Sequence, residues 1–167
     1  QVASSINRLY FMKDLGYLSD CLHGPHGHPA SVCQADDALR PNQLFAVTLG
    51  AISDPVQAEQ IVQACASLIV PGAIRSLADR PVRVPLAVQH QGRLLNDPHN
   101  PYQGHYQGDE DTRRKPAYHN GTAWTWVFPS FCEARAMVFG ESGRETSRAL
   151  LATALNHMNT GCLGHIP

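Results

Sequence analysis

The stretch "SDPVQAEQIVQACASLIVPG", residues 53–72, decides the predicted fold class because it carries a complete set of helix signals. Asp54 is suited to cap the first free amides, Pro55 suits the first helical position, and the Pro71-Gly72 pair stops a helix. Its apolar stripe consists of Val56, Ile61, Cys65 and Leu68. We therefore predict a helix that begins after Asp54 and stops at Pro71.

Neighbouring segments predict further helices with short connections. "RPNQLFAVTLG" places Pro41 at another helix start and ends at Gly50, which predicts a helical hairpin with the helix after Asp54. Residues 122–139 and 142–161 predict a second hairpin, and residues 4–16 predict the end of one more helix. The chain is therefore expected to be all-α and built of stacked helical hairpins.

Two polar stretches interrupt the helical pattern. Residues 77–115 contain prolines at 81, 85, 98 and 101 among many polar side chains, so we predict a long loop with a short hairpin around "VPLAVQHQGRLL". Residues 23–37, "HGPHGHPASVCQADD", have a similar composition. Each polar stretch precedes a helix. We therefore predict that both are long polar loops at one end of a helical scaffold, and that this end carries the functional site.

Composition limits the class of partner. The 167 residues are 43% apolar and 16% charged, a globular balance for one domain. Thirteen basic against fourteen acidic residues give a net charge of −1, which supplies no basic field for nucleic acid or an anionic membrane. No apolar run approaches the ~18 residues of a membrane span, and no secretory signal opens the chain. We expect a cytoplasmic protein.

Cysteine usage and the chain ends add two expectations. The five cysteines are odd in number and contain no C-x-x-C pair, which favours reduced thiols. The chain opens without methionine and stops at "GHIP", so we expect it to be a piece of a longer protein.

The candidates for metal binding and covalent catalysis are weak. The loop histidines are His23, His26 and His28, and a second group is His157, Cys162 and His165. Neither group has the spacing of a C-x-x-C pair or an H-E-x-x-H zinc motif, so we predict no metal and no cofactor. Cys132 has His119 nearby in sequence, but its apolar neighbours indicate a core cysteine rather than a nucleophile.

Two motifs carry the residue types of a carbohydrate site, which needs flat aromatic faces and planar polar groups that donate and accept in pairs. "AYHNGTAWTW" offers Tyr118, His119, Asn120, Trp124 and Trp126, and "DDALRPNQ" offers Asp36, Asp37, Arg40, Asn42 and Gln43. The alternative, in which the tryptophans are core and the polar groups are caps, fits the composition equally well.

Four ordered motifs resemble one family. The runs "DDALRPNQLFA", "GAIRSL", "YQGHYQGD" and "AYHNGTAWTW" follow the same order as in the amylo-α-1,6-glucosidase region of glycogen debranching enzymes, and the resemblance covers residues 35–140. This chain departs from the family pattern at Asn120, Ala123 and Thr125, where glutamine, valine and proline are usual.

The resemblance implies a fold and an activity. It implies an (α/α)6 barrel of twelve helices, of which residues 1–167 would be the C-terminal portion and less than half. It also implies inverting hydrolysis of α-1,6-linked glucose at branch points of glycogen or limit dextrin, with one carboxylic acid and one carboxylate. The acid is expected upstream of this chain and the base downstream. The isolated chain is therefore expected to be inactive and to need the remainder of the barrel as its partner.

The resemblance also implies a substrate-binding role for the two motifs. One wall would consist of Arg40, Asn42 and either Asp36 or Asp37, of which Asp36 is preferred. The other wall would consist of His119, Trp124 and Trp126, and the further substrate-binding residues expected are Gln43, Tyr118 and Asn120. Asp109 and Glu110 are suited either to hold sugar hydroxyls or to pair with Arg113 and Arg114, and surface ion pairs fit Glu110 and Asp111 at least as well. The partner would be glycogen or an α-glucan oligosaccharide. Two alternatives stay open: a non-catalytic glucan-binding module, and another six-hairpin glycosidase of the glucoamylase or trehalase type.

Overall fold

The computed structural model describes residues 1–158 of the chain. Five α-helices lie within these residues: α1 Val2–Leu9, α2 Leu44–Thr48, α3 Pro55–Ala66, α4 Lys115–Ala117 and α5 Phe128–Leu155. Nine short strands accompany them: β1 Phe11–Met12, β2 Tyr17–Leu18, β3 Leu22–His23, β4 Gln34–Ala35, β5 Ile69–Val70, β6 Ala73–Arg75, β7 Gln89–His90, β8 Arg93–Leu94 and β9 Ala123–Trp124.

The prediction of an all-α fold, as part of an (α/α)6 barrel, is wrong. The described residues form a mixed α/β structure in which the strands make four small antiparallel sheets, β1-β2, β3-β4, β5-β6-β9 and β7-β8. The physical reason is that short extended segments meet across tight turns or, as with β6 and β9, across a long stretch of chain. Their pairing satisfies backbone groups that would otherwise lack partners.

Helix α3 begins where the sequence predicts but ends earlier. The Asp54 carboxylate accepts hydrogen bonds from the backbone amides of Val56, at 2.8 Å, and Gln57, at 3.4 Å. The helix stops at Ala66, because residues 69–70 leave it and pair with β6 across a turn in which Gly72 has a φ of +73°. The predicted stripe is buried except for Val56, which is 64% exposed.

The first predicted hairpin forms around a 3₁₀ turn. Residues 41–43 make this turn, α2 follows it, and Gly50, at a φ of +71°, ends the helix before the chain enters α3. Helices α2 and α3 both pack against α5. The largest fully buried side chains of this core are Leu44, Ile61, Val62, Leu68, Ile74, Phe128 and Phe131.

Helix α5 is itself a hairpin, as predicted for the C-terminal segments. Gly140 has a non-helical backbone, with φ 58° and ψ −130°, and interrupts the helix. The Ser147 hydroxyl donates a hydrogen bond to the Cys132 carbonyl at 2.9 Å, although residues 15 apart lie about 22 Å apart along a straight helix. The two halves of α5 therefore lie side by side.

The predicted start of this hairpin at Thr122 is wrong, and its predicted end at Gly161 lies outside the described residues. Residues 123–124 pair with β6 instead of joining the helix. The Thr122 carbonyl also accepts a hydrogen bond from the Ser76 amide at 3.0 Å. This pairing holds the segment before α5 extended, so the helix starts at Phe128.

The long polar stretch, residues 77–115, is a loop that contains one small hairpin, β7-β8, at the predicted place. Gln91 and Gly92 form its turn with φ values of 49° and 74°. Residues 110–114 then form a π-helical turn that leads into α4. The N-terminal segment has the short helix α1 followed by the β1-β2 hairpin. Within residues 1–158, no helix combines the length and apolarity needed to cross a bilayer.

We predict that Gly143→Ala destabilises the protein. A Cβ atom at residue 143 would overlap the carbonyl oxygen of Arg135 in the facing half of α5. In an exposed helix, replacing glycine by alanine would stabilise the folded protein by about 1 kcal/mol. A decrease of about 1–3 kcal/mol in the free energy of unfolding would therefore indicate that the two halves of α5 pack closely at residue 143. Chemical denaturation measures it, with the exposed Ser142→Ala as the matched control. A gain in stability for Gly143→Ala would show that the two halves do not pack closely.

Candidate functional site

A cleft of about 410 Å³ opens where the turn after Arg40 meets β6 and the segment before α5. It is lined by Arg40, Pro41, Asn42, Ile74, Ser76, His119, Trp124, Trp126 and Val127. Its volume lies in the range of small-molecule sites, about 300–1,000 Å³. The cleft thus brings together five residues that the sequence singles out: Arg40, Asn42, His119, Trp124 and Trp126.

One wall of the cleft is aromatic. Strand β9 fixes Trp124 by pairing it with Ile74, and the His119 ring is stacked on Trp124 with centroids 6.4 Å apart and an interplanar angle of 23°. Trp126 stacks against Phe45 at 6.3 Å and is 61% exposed. The alternative that both tryptophans are core residues is therefore wrong for Trp126.

Tyr118 supports this wall from outside the cleft. Its ring meets Trp124 edge to face at 5.5 Å and His119 at 4.8 Å. Edge-to-face pairs of this kind stabilise by about 0.5–1.5 kcal/mol beyond the burial of their area. Tyr118 thus helps to fix the orientation of the two rings that face the cleft.

The other wall is polar and is organised by Arg40. Its Nε donates to the Asp20 carboxylate at 2.7 Å, and Nη2 donates to the Asn120 side-chain oxygen at 2.8 Å. Nη1 donates to the Ser76 carbonyl at 3.4 Å. The guanidinium also lies over the Tyr102 ring, 5.0 Å from the centroid. Its side chain is 14% exposed, so these contacts hold a largely buried cation in one position.

Asn42 and Gln43 follow Arg40 but take different positions. Asn42 is exposed and lines the cleft. Gln43 is buried, accepts a hydrogen bond from the Leu18 amide at 2.9 Å and donates to the Arg40 carbonyl at 2.8 Å. Gln43 therefore ties the turn to β2 and does not face the cleft.

The structure places Asp36 and Asp37 away from the cleft. The Asp37 carboxylate accepts hydrogen bonds from the backbone amides of Arg83, at 2.8 and 3.0 Å, and Val84, at 3.0 Å. Asp36 accepts from His23 at 3.0 Å, from the Tyr102 hydroxyl, and from the Ala38 amide at 2.9 Å. Both are buried, and both serve as acceptors that hold the polar loops.

The environment of Asp36 favours its ionised form. Burial by itself raises the pKa of this carboxyl, but the hydrogen bonds from His23, Tyr102 and the Ala38 amide outweigh burial and hold the pKa below its ordinary value. Asp36 is therefore an anion at neutral pH.

Asp109 is also separate from the cleft. It caps the π-helical turn by accepting from the Thr112 amide at 2.9 Å and from the Thr112 hydroxyl. Of the ion pairs expected with Arg113 and Arg114, the structure shows the one between Glu110 and Arg114, at 3.0 Å, and within residues 1–158 Asp109 pairs with neither arginine. Asp109 therefore shapes an exposed turn.

Sequence reasoning missed three residues around Arg40. Asp20 follows β2, Ser76 lies in "GAIRSL" and Tyr102 lies in "YQGHYQGD". Ser76 and Tyr102 could have been found from the sequence, because the motifs that contain them occur together with the two proposed sugar motifs in this chain. Burial raises the pKa of the Asp20 carboxyl above its ordinary value, and the opposing effect of the Arg40 cation is smaller. Asp20, Arg40 and Asn42 also line a second, neighbouring cavity of about 230 Å³.

The structure rejects Cys132 as a nucleophile. Its side chain is 3% exposed and belongs to the hydrophobic core, and burial raises the pKa of its thiol to about 11. His119 stacks on Trp124 in the cleft rather than on this thiol. A neutral, buried thiol without a base is a packing group.

The loop histidines do not form one cluster. His26 and His28 are exposed, whereas His23 lies next to Cys21 and Asp36. Cys162 and His165 lie outside the described residues. Of the first group of candidate ligands, only His23 therefore lies beside other metal-ligating side chains, and these neighbours, Cys21 and Asp36, were not predicted from the sequence as metal ligands.

Comparison with known proteins gives one match. The family model described as amylo-alpha-1,6-glucosidase matches residues 1–167, the whole length of the chain. No curated protein and no solved structure matches it.

We predict that Cys132 resists alkylation in the native protein. At pH 8 its thiol remains protonated, because burial holds the pKa near 11, and iodoacetamide reacts with the thiolate. Peptide mass spectrometry should find the half-buried Cys33 modified before Cys132, and Cys132 modified only in denaturant. Modification of native Cys132 as fast as Cys33 would contradict its assignment to the core.

We predict that Asn120 stabilises the position of Arg40. Asn120→Ala removes the acceptor of the Nη2 hydrogen bond and should lower the free energy of unfolding by about 1.5–3 kcal/mol, the usual range for a bond to a charged group. Asn120→Asp keeps an acceptor and is the matched control, with stability close to that of the wild type. Equal losses in both variants, measured by chemical denaturation, would show that the bond to Arg40 is unimportant.

Proposed function

Because this chain belongs to the amylo-alpha-1,6-glucosidase family, we propose that it supplies the glucan-binding surface of an enzyme that hydrolyses α-1,6-linked glucose. The substrate is a branch point of glycogen or of a limit dextrin. The cleft between the tryptophans and Arg40 is the proposed site for the sugar, and the hydrolytic carboxylates come from elsewhere in the same polypeptide.

The single observation that carries this proposal is the pairing of an aromatic wall with a polar wall across one cleft. A pyranose ring has apolar C–H faces that pack on flat aromatic rings, and Trp124 and Trp126 offer such rings. Its hydroxyls donate and accept hydrogen bonds, and Arg40 and Asn42 offer polar groups on the other wall, while the His119 ring beside Trp124 offers a further donor or acceptor.

The contacts of Arg40 support a binding role for this side chain. Three of its five N–H groups are used by Asp20, Asn120 and the Ser76 carbonyl within the described residues. The remaining donors belong to a guanidinium whose position is already fixed. A sugar hydroxyl that accepts from Arg40 would therefore not need to order a flexible side chain, which lowers the entropic cost of binding.

The lining of the cleft supports binding rather than bond cleavage by these residues. Inverting hydrolysis needs two carboxyl groups about 6.5–9.5 Å apart on either side of the glycosidic bond. Among the described residues, none that lines the cleft is Asp or Glu. The Asp20 carboxylate is bound to Arg40, which lines the cleft.

The same observation leaves a non-catalytic glucan-binding module as the second candidate. Both candidates use the same cleft and differ in whether the complete polypeptide cuts the glucan. Glucose release from a phosphorylase limit dextrin by the polypeptide that contains this chain supports the debranching function. Binding without any release supports the module. Equal release from trehalose or linear maltose instead indicates a trehalase-type or glucoamylase-type enzyme.

We predict that branched malto-oligosaccharides change the tryptophan fluorescence of this chain saturably. Both tryptophans of the chain line the cleft, so the signal reports this site. Trp126→Ala should weaken binding about two- to twelvefold, because an aromatic contact contributes about 0.5–1.5 kcal/mol. The matched control is Leu95→Ala, which removes an apolar side chain that is 58% exposed and lies outside the cleft.

Two results would contradict the proposed sugar site. The first is the absence of any saturable signal or heat with branched oligosaccharides at millimolar concentration. The second is equal weakening by Trp126→Ala and Leu95→Ala, which would indicate a general loss of structure. Circular dichroism of each variant separates a folding defect from a lost contact.

A further inference from the structure

Three metal-ligating atoms converge on one point beside the polar loops. The Cys21 Sγ lies 3.2 Å from the His23 Nε2, and this nitrogen lies 3.0 Å from the Asp36 Oδ2. The Cys21 Sγ and the Asp36 Oδ2 are 3.8 Å apart. The three atoms therefore form a small triangle of one sulfur, one nitrogen and one oxygen.

The local fold accounts for this triangle. Side chains alternate between the faces of a strand, so Cys21 and His23, two residues apart at β3, project to the same face. Strand β4 pairs antiparallel with β3, with Leu22 opposite Ala35, and the Asp36 amide donates to the Cys21 carbonyl at 2.9 Å. Asp36 is thus the cross-strand neighbour of Cys21, and cross-strand neighbours share a face.

The geometry excludes a cysteine–histidine–aspartate catalytic triad. A triad uses one ring nitrogen of the histidine for the nucleophile and the other for the carboxylate. Here the thiol and the carboxylate both lie against Nε2. Two groups on the same nitrogen cannot relay a proton through the ring, but they do surround a shared point.

We propose that Cys21, His23 and Asp36 bind a zinc ion through Sγ, Nε2 and Oδ2. Zinc bonds are about 2.3 Å to sulfur and about 2.0–2.2 Å to nitrogen and oxygen, so ligand atoms in a tetrahedral site lie roughly 3.3–3.6 Å apart. The three separations here, 3.0, 3.2 and 3.8 Å, differ from those values by only a few tenths of an ångström. Small rotations of the side chains suffice to admit the ion.

Ligand chemistry selects the metal. A thiolate and an imidazole disfavour Mg²⁺ and Ca²⁺, which prefer oxygen ligands, and they suit Zn²⁺. One thiolate and one carboxylate carry two negative charges, which balance the charge of the ion. His23 is 31% exposed, so the fourth position of the tetrahedron faces solvent and takes water.

The surrounding hydrogen bonds already orient the ligands. The Ala38 amide donates to the other carboxylate oxygen of Asp36 at 2.9 Å, and the Tyr102 hydroxyl donates to Oδ2. The Ser19 hydroxyl accepts from the Asp36 amide at 2.9 Å and donates to the Cys21 carbonyl at 2.5 Å. Such outer contacts fix ligand orientation and typically change metal affinity 10–100-fold when removed.

The site adjoins the cleft without being part of it. Tyr102 joins the two, because its hydroxyl bonds Asp36 while its ring lies under the Arg40 guanidinium. Zinc binding would therefore fix the ends of the exposed segment between β3 and β4 and support Tyr102. It would also raise the melting temperature, since the unfolded chain does not hold the three ligands together.

The test is a titration of the purified 167-residue chain with zinc, monitored by calorimetry and by metal analysis after dialysis. We expect one equivalent of zinc and a rise in melting temperature that a chelator reverses. Cys21→Ser and His23→Ala should each weaken binding at least tenfold. Cys33→Ser and His26→Ala, which change the same residue types in the same loop, are the matched controls and should bind as the wild type does.

Cobalt substitution supplies a readout that does not depend on stability. A cobalt ion held by the Cys21 sulfur should give a near-ultraviolet thiolate-to-metal absorption band that is absent in Cys21→Ser and kept in Cys33→Ser. Tyr102→Phe leaves all three ligands in place and should weaken zinc binding about 10–100-fold. Circular dichroism establishes that each variant is folded.

Three results would overturn the zinc site: no zinc retained by the wild type, no effect of Cys21→Ser, or equal loss of zinc in Cys21→Ser and Cys33→Ser. None of these bears on glucan binding, which is measured separately by tryptophan fluorescence. The metal site and the proposed function can therefore fail independently.

Discussion

The Arg40 guanidinium joins parts of the chain that are far apart in sequence, and the cleft depends on this junction. It bonds Asp20 after β2, Ser76 after β6 and Asn120 before β9, and it lies over Tyr102 of the long polar loop. A largely buried cation is tolerated only when its charge and N–H groups are matched, so each partner constrains the others. One side chain thus fixes the relative positions of four segments.

The helical core provides the rigid support for this junction. Residues 41–43 follow Arg40 directly and lead into α2, which packs against α5 together with α3. Strand β6 is held between β5 and β9, so Ile74 and Trp124 are paired partners on one small sheet. The aromatic wall belongs to this sheet and the polar wall belongs to the turn, and both are anchored in the same core. The cleft is therefore held in shape by helices α2, α3 and α5, which contribute none of its lining residues.

Sequence patterns predicted α3 and the C-terminal hairpin because helix signals are local, as the cap at Asp54 illustrates for α3. They did not predict the small sheets, since a two-residue strand such as β9 has no periodicity and forms only when its partner arrives from elsewhere. For a similar reason, the sequence motifs did not show which of their residues line the cleft. Spacing alone cannot tell whether Asp36 and Gln43 face a cleft or accept hydrogen bonds from backbone amides. In the structure both side chains are buried and accept from backbone amides.

The placement of the buried carboxylates supports the proposal that this chain holds a glucan and does not cut it. Asp20 is bound to Arg40, Asp36 to His23 and Tyr102, and Asp37 to two backbone amides. A general acid must release its proton to the leaving oxygen, and a general base must be free to accept one from water. Carboxylates that already serve as hydrogen-bond acceptors for the scaffold are poorly placed for either task. This arrangement supports the proposed role of the aromatic cleft as a binding surface that the scaffold keeps in shape.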